Sequence, residues 1–279
     1  MRKSTALGLA LALVLLAAAG LKLRLDAIPR RTMPGSSVIF LPSGKFLRAT
    51  TFGYSGFLAD LLFVWTIQYY GNPQIPDKFQ RFENIFSAIA ELDPRWVDPY
   101  EVAALIAIYD ARDVRLALRM FDLGAAKNPG MWIFPYQAGH YAQLYLKDYA
   151  LAKAYYEKAM ALPGAPPIAK RLFANAAYQT MDLRTAWETW SEIYETAEDP
   201  QIRKIASNHL YRVKAAADIS LLRQALDRYR ERYGRWPSDL ERLAASGILS
   251  PIPKDMDGKD YAYDPASGGV KTAVIPWKR

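Results

Sequence analysis

The chain has 279 residues, half of them apolar and 13% aromatic, a composition that can bury a sizeable core and excludes extensive disorder. It has no cysteine, which excludes disulfides, thiolate metal sites and a cysteine nucleophile, and its two histidines, His140 and His209, lie far apart in sequence. The net charge of +8 comes from Lys and Arg interleaved with Asp and Glu, without the dense basic stripe that nucleic-acid binding uses, so no nucleic-acid partner is expected.

Taken in chain order, Arg2 and Lys3 precede a run from Ala6 to Leu21 that is almost purely Leu, Ala and Val. A short basic region followed by an apolar core is the layout of a secretory signal or signal-anchor. Ala17-Ala18-Ala19 before Gly20 offers a cleavage site; left uncut and extended to Leu25, the segment is just long enough to span a bilayer. Lys22, Arg24, Arg30 and Arg31 follow the run, so charge bias does not by itself place the N-terminus inside. Residues 1–25 are predicted to be an uncleaved transmembrane anchor in the inner membrane, with the bulk of the chain periplasmic.

Residues 26–55 read as an extended tether, with Pro29, Pro34, Gly35, Pro42 and Gly44 interrupting any helix and Ser37 to Leu41 forming a short strand. From Gly56 to Tyr70 apolar residues fall on nearly every side. The stretch is too short, and too polar at Asp60 and Gln68, for a second span, and predicts a buried first helix of a helical array.

An internal repeat then sets the fold class. Asp113, Asp148 and Asp182 recur after 35 and 34 positions; each is followed four residues later by a small residue (Ala117, Ala152, Ala186) and four later again by an aromatic one (Phe121, Tyr156, Trp190). Gly124, Ala159 and Ile193 come next, and Pro129, Pro163 and Pro200 close the units; a fainter copy has Phe82, Phe86, Ile89 and Pro94. Small residues let two helices approach, aromatics plug the gap to the next unit, and proline forbids continuation. A single helical hairpin cannot cover its own apolar face, so the units must stack.

The pattern resembles the tetratricopeptide repeat (TPR) over about residues 57–200, with Leu105, His140 and Ala174 standing where that family's first-helix glycine is expected. The resemblance implies a mainly α fold: a TPR-like α-solenoid over 56–216, preceded by the membrane helix and followed by a small α+β module over 217–279. In that module Leu222, Leu226, Tyr229 and Tyr233 line one helical face ended by Gly234. Ser238-x-x-Glu241 is a capping-box signature, and strands are predicted around Tyr261 to Tyr263 and over 270–275, separated by a turn at Pro265 to Gly269. The stretch 225–270, including GRWP from Gly234 and the spacing of Asp255, Gly258, Tyr261 and Tyr263, is similar to the globular end of type II secretion pseudopilins. It lacks their N-terminal helix and prepilin motif, so assembly into a pilus is not implied.

No constellation for chemistry emerges. Asp255, Asp257 and Asp260 around Gly258 offer carboxylates to calcium, but the loop lacks the length and distal Glu of an EF-hand and reads as a plain turn. Asp93, Asp98, Asp113, Asp148 and Asp182 sit at repeat starts or loop ends, where Asp caps helices. Ser43, Ser55 and Ser246 lack a nucleophile-elbow context, and no phosphate loop is present. No enzyme activity, cofactor or metal is expected.

Since the first helix of each TPR pair lines a concave face, the resemblance places Tyr109, Gln137, Tyr141, Tyr145, Arg171, Asn175 and Tyr178 there, a surface suited to an extended peptide. Arg171 and Asn175 resemble one turn of a carboxylate clamp; the other clamp positions are not matched. The expectation is a non-catalytic, membrane-anchored scaffold or adaptor that binds a protein partner in an envelope secretion, pilus or export complex. A permanent structural subunit of a membrane complex and an envelope hydrolase are the alternatives.

Overall fold

The computed structural model describes residues 2–26, 41–73, 75 and 77–274, with the side chains of the first segment from Leu11 to Arg24. The helices are α1 (Arg2–Asp26), α2 (Gly44–Thr50), α3 (Ser55–Gly71), α4 (Phe82–Leu92, entered through a 3-10 turn at Lys78–Arg81), α5 (Asp98–Tyr109) and α6 (Val114–Lys127). They continue with α7 (Ile133–Tyr141, extended by a π turn at Ala142–Leu146), α8 (Tyr149–Met160), α9 (Pro167–Gln179), α10 (Leu183–Thr196), α11 (Pro200–Tyr233) and α12 (Glu241–Ala245). Two short strands, β1 (Ala262–Asp264) and β2 (Gly269–Lys271), form an antiparallel hairpin with Tyr263 opposite Val270.

From α5 to α11 each helix packs on the next in chain order. The repeated side chains are the ones that make this possible. Ala117, Ala152 and Ala186 are fully buried, and Phe121, Tyr156 and Trp190 are buried beside them. The amides of Leu116, Leu151 and Thr185 donate to the carboxylates of Asp113, Asp148 and Asp182 at 2.9, 2.9 and 3.3 Å, so these aspartates cap α6, α8 and α10. The residue before each cap, Arg112, Lys147 or Met181, takes a left-handed conformation (φ 55°, 56° and 60°), and the three share the spacing of the aspartates. That device reverses the chain between the two helices of a hairpin without glycine.

Contacts also join residues about one repeat apart. Arg119 pairs with Glu83, Lys127 with Glu91, Gln137 donates to Glu101, and Tyr109 bonds Tyr145, each across 36 positions. The core follows suit as clusters in series. One runs from Ala59 through Phe82 and Phe121 to Phe134; the next ones gather around Tyr156 with Phe173, then Trp190 with Leu210, then Leu222 and Leu226 with Leu243, Tyr261 and Val270.

The structure departs from the sequence expectations at several points. The strand expected at Ser37 to Leu41 lies outside the described residues except for Leu41, which is in neither helix nor strand. Within the expected tether, α2 is helical because Ser43 caps it through the Phe46 amide (3.3 Å) and Pro42 sits ahead of the cap, where it costs no hydrogen bond. Gly44 permits a close approach to α4: a Cβ there would stand 2.6 Å from Glu91 Cβ. α3 is not a buried helix: Ala59, Thr66, Tyr69 and Tyr70 are buried, while Phe57, Leu61, Val64 and Trp65 are exposed.

In two of the three repeats the close approach of the first helices falls one residue earlier than the sequence register placed it, while in the third it stays at Ala174. Ala104, Gly139 and Ala174 are buried at intervals of 35, whereas Leu105 and His140 point to solvent. α11 runs unbroken through the boundary expected at 216/217. Its Ala206, Leu210 and Val213 face the repeat core and its Leu222, Ala225 and Leu226 face the C-terminal module, so one helix serves both. The cap of α12 is provided by Asp239, which accepts the Arg242 amide at 3.0 Å, and Ser238 donates to Asp239 instead of capping.

Asp255 is the centre of the turn at 255–260. Its carboxylate accepts from the amides of Asp257 and Lys259 (2.9 and 2.8 Å) and from the Tyr211 hydroxyl of α11 (2.8 Å). Those hydrogen bonds and its neighbour Lys259 hold it below the usual carboxylate range against the opposing effect of burial. The segment 1–25 falls on α1, whose leucines from Leu11 to Leu23 stand exposed; among the described residues no helix is long and apolar enough to cross a membrane.

Candidate functional site

Three tyrosines meet on one side of α5 and α7. Tyr109 is the last residue of α5, Tyr141 the last of α7, and Tyr145 lies in the π turn that follows. The wider π turn carries the α7 face one residue further before Lys147 reverses the chain, which aims Tyr145 back at the preceding hairpin. The Tyr109 and Tyr145 hydroxyls are 2.8 Å apart, and the Tyr141 ring lies 5.5 Å from that of Tyr145 and 5.1 Å, edge-on, from buried Phe121. Tyr141 is therefore half core and half surface, whereas Tyr109 is 63% exposed.

Gln137, one turn before Tyr141, donates to Glu101 of α5 at 2.9 Å. The surface thus presents phenol hydroxyls, an amide and one carboxylate across two hairpins. The shared hydrogen bond with Tyr109 pushes the Tyr145 phenol up to about 12; burial, with Glu101 and Tyr109 adding to it, raises Tyr141. Both stay neutral at physiological pH and serve as hydrogen-bond donors and acceptors over an apolar ring surface.

The remaining predicted residues lie on α9. Arg171 and Asn175 are half-buried one turn apart, and Tyr178 stacks under the guanidinium of Arg212 from α11 at 4.7 Å. Among the described residues no hydrogen bond or ring contact links this trio to the tyrosines of α5 and α7. The predicted set is therefore two patches on first helices, one built by Tyr109, Gln137, Tyr141 and Tyr145 and one by Arg171, Asn175 and Tyr178.

Two further features were missed by sequence reasoning. Glu101 enters because it stands 36 positions before Gln137, a spacing that the repeat itself supplies. A cleft of about 630 Å³ opens between α10, α11 and the 255–260 turn, lined by Tyr194, Arg203, Lys204, Asn208, Asp257 and Lys259. It forms because the 255–260 turn folds back on α11, where the Tyr211 hydroxyl donates to Asp255 at 2.8 Å, a long-range placement that no residue spacing announces.

The aspartates that invite acid–base readings are occupied in local structure. Asp113, Asp148 and Asp182 cap helices; Asp182 also accepts from Lys153 (2.8 Å), the main reason its carboxyl is held below the usual range. Asp93 accepts the Arg95 amide and Asp98 the Trp96 indole N–H. No model of a known protein family matches the chain, and no curated protein is similar to it.

Proposed function

We propose that the chain is a membrane-anchored, TPR-like scaffold of stacked helical hairpins, non-catalytic, that binds a protein partner through the first-helix face. The observation that carries the reading is the tyrosine cluster of Tyr109, Tyr141 and Tyr145 with Gln137 and Glu101, built from side chains 36 residues apart on successive hairpins. Aromatic rings bearing neutral hydroxyls give large contact area at low conformational cost and bond a peptide backbone in either polarity. Contacts one period apart and cores in series are what a quasi-one-dimensional stack produces, and they support the solenoid reading.

The anchor reading rests on the Ala6 to Leu21 run. Sixteen helical residues span about 24 Å, short of a hydrocarbon core of about 30 Å; continuing to Leu25 closes the gap when Lys22 and Arg24 reach up to the headgroups. Export of the remainder to the periplasm, and the similarity of 225–270 to pseudopilin globular ends, together favour a role in assembling an envelope secretion, pilus or export complex.

The test is a charge and size change on the exposed face that spares the core. Tyr109→Ala combined with Arg171→Glu should abolish capture of the partner from solubilised membranes while the helical circular dichroism stays as in the unaltered chain. Undiminished capture by the double variant would remove the face from the function.

A further inference from the structure

The outer side of α3 is apolar although its inner side has already built the core. Phe57, Leu61, Val64 and Trp65 follow helical spacing i, i+4, i+7, i+8 and form one stripe, of which Phe57, Leu61 and Val64 are 63%, 53% and 60% exposed. The turn leading into α3 extends the patch with Tyr54 and Phe52, the latter 91% exposed at a left-handed φ of 49°. Soluble surfaces carry such residues singly; a continuous run of aromatic and aliphatic side chains marks a surface that something covers.

We propose that this face of α3 lies in the headgroup–acyl boundary of an anionic bilayer. Three observations favour a bilayer over another occupant. Seventeen residues (27 to 43) join the end of α1 to the start of α2, and even fully extended they reach about 60 Å, so the patch is tethered to the membrane that α1 enters. Between Lys22 and Gln68 the sequence has six cations (Lys22, Arg24, Arg30, Arg31, Lys45, Arg48) against two carboxylates, Asp26 and Asp60, which complements anionic headgroups. The residues of the stripe are also the right kind. Trp, Tyr and Phe favour the membrane–water interface, and Lys45 and Arg48 of α2, the helix that precedes α3 in the chain, are exposed. Asp60 sits at the margin of the stripe, 60° round the helix from Phe57, where a carboxylate remains in the headgroup layer.

The inference extends the anchored reading above, and the two are separable by experiment. Because the chain lacks cysteine, single substitutions accept one spin label each. Leu61→Cys on α3, Leu15→Cys on α1 and Arg184→Cys on the exposed side of α10 are placed in the full chain. The chains are reconstituted in vesicles of phosphatidylcholine with phosphatidylglycerol, and each label's collisions with oxygen and with a water-soluble nickel chelate are measured. The expected result is a several-fold higher oxygen-to-nickel ratio at residue 61 than at residue 184. A label at 61 that meets nickel as freely as the one at 184 overturns the proposal. So does a label shielded from both reagents, which would mean that protein, a second copy or a partner, covers the face. The label at residue 15 reports separately on the anchor: lipid exposure there with water exposure at 61 sinks the interfacial docking alone, and water exposure at 15 sinks the anchor.

Discussion

Gly139 is the position at which the stacking of α7 on α8 is most easily challenged. A Cβ added there would stand 2.8 Å from Cδ1 and Cε1 of Tyr156 and 3.2 Å from Cβ of Tyr155. Comfortable carbon contacts begin near 3.5 Å, so the Tyr156 ring would have to retreat by about 0.7 Å. It has little freedom to do so. The ring is fully buried and its hydroxyl donates to Gln143 at 3.2 Å, while Tyr155 is held by both carboxylate oxygens of Asp122 at 3.0 and 3.1 Å. Gly139→Ala therefore gains about 1 kcal/mol of helix propensity and loses about 1–3 kcal/mol to overpacking. The net expectation is a destabilisation of up to about 2 kcal/mol, or up to roughly 8 °C in Tm for a chain of this size. Gly71→Ala is the control: Gly71 is the last residue of α3 and its Cβ would meet nothing within 4 Å, so the substitution should be neutral or slightly stabilising. Thermal unfolding of both variants, followed by far-ultraviolet circular dichroism, decides the point. A stability gain for Gly139→Ala, as helix propensity alone would give, would show that α7 and α8 do not meet at this residue.

Other perturbations probe the rest of the stack. His209 lies flat on Trp190 (3.9 Å, 3° between planes), and burial, aided by Arg212, pushes its imidazole down from 6.5 to about 4. The unfolded chain therefore takes up that proton first as pH falls. Stability present above pH 6.5 should decline toward pH 4 by up to about 3 kcal/mol, and His209→Phe, which keeps the stack, should flatten denaturant midpoints across that window. Lowered carboxylates such as Asp182 and Asp255 act only below their ordinary value of 3.8, outside it. Tyr211→Phe removes a hydroxyl bond to the 6% exposed carboxylate of Asp255 and should cost about 1.5–3 kcal/mol in urea unfolding; a change under 0.5 kcal/mol would mean that α11 and the 255–260 turn are not fastened there. Lys147→Gly relieves a left-handed residue at the cost of chain entropy and should leave the unfolding free energy unchanged or raise it by up to about 1 kcal/mol in urea titration; a clear loss would contradict the reversal described for the repeats.

What the sequence revealed best was whatever the repeat states three times. Ala117, Ala152 and Ala186, the aromatics four residues on and the capping aspartates all took the places their spacing required, because each residue type has one strong physical use there. The first-helix register was harder to read: Ala103, Ala104 and Ala107 are all small, so only the packing of Tyr156 against Gly139 fixes which residue makes the close approach. The break expected near Ala217 had no physical stop signal behind it. Lys214 to Asp218 is Ala-rich and contains neither Gly nor Pro, so the helix simply continues to Gly234. α3 defeated periodicity for the opposite reason: a helix apolar on all sides has no preferred face to read, and only coordinates show that half of it has no neighbour among the described residues.

The tyrosine face was legible as a set of first-helix positions but not as an assembly. Tyr109 and Tyr145 bond only because the π turn re-aims the chain, and no residue pattern in AQLYL announces that turn. Arg171, Asn175 and Tyr178 were placed by the same register and form a second patch, with Tyr178 engaged by Arg212 from a helix whose continuation the sequence reading had cut short.

The scaffold reading is tested most directly by photo-crosslinking in intact membranes. A photoreactive residue is placed in turn at Tyr145, at Tyr178 and at Arg184, the last on exposed α10. The expected outcome is one partner, identified by mass, joined to the chain from both 145 and 178 and absent from 184. Adducts of equal yield from 184, or none from either tyrosine, would contradict a stack of hairpins that works by presenting this face to another protein.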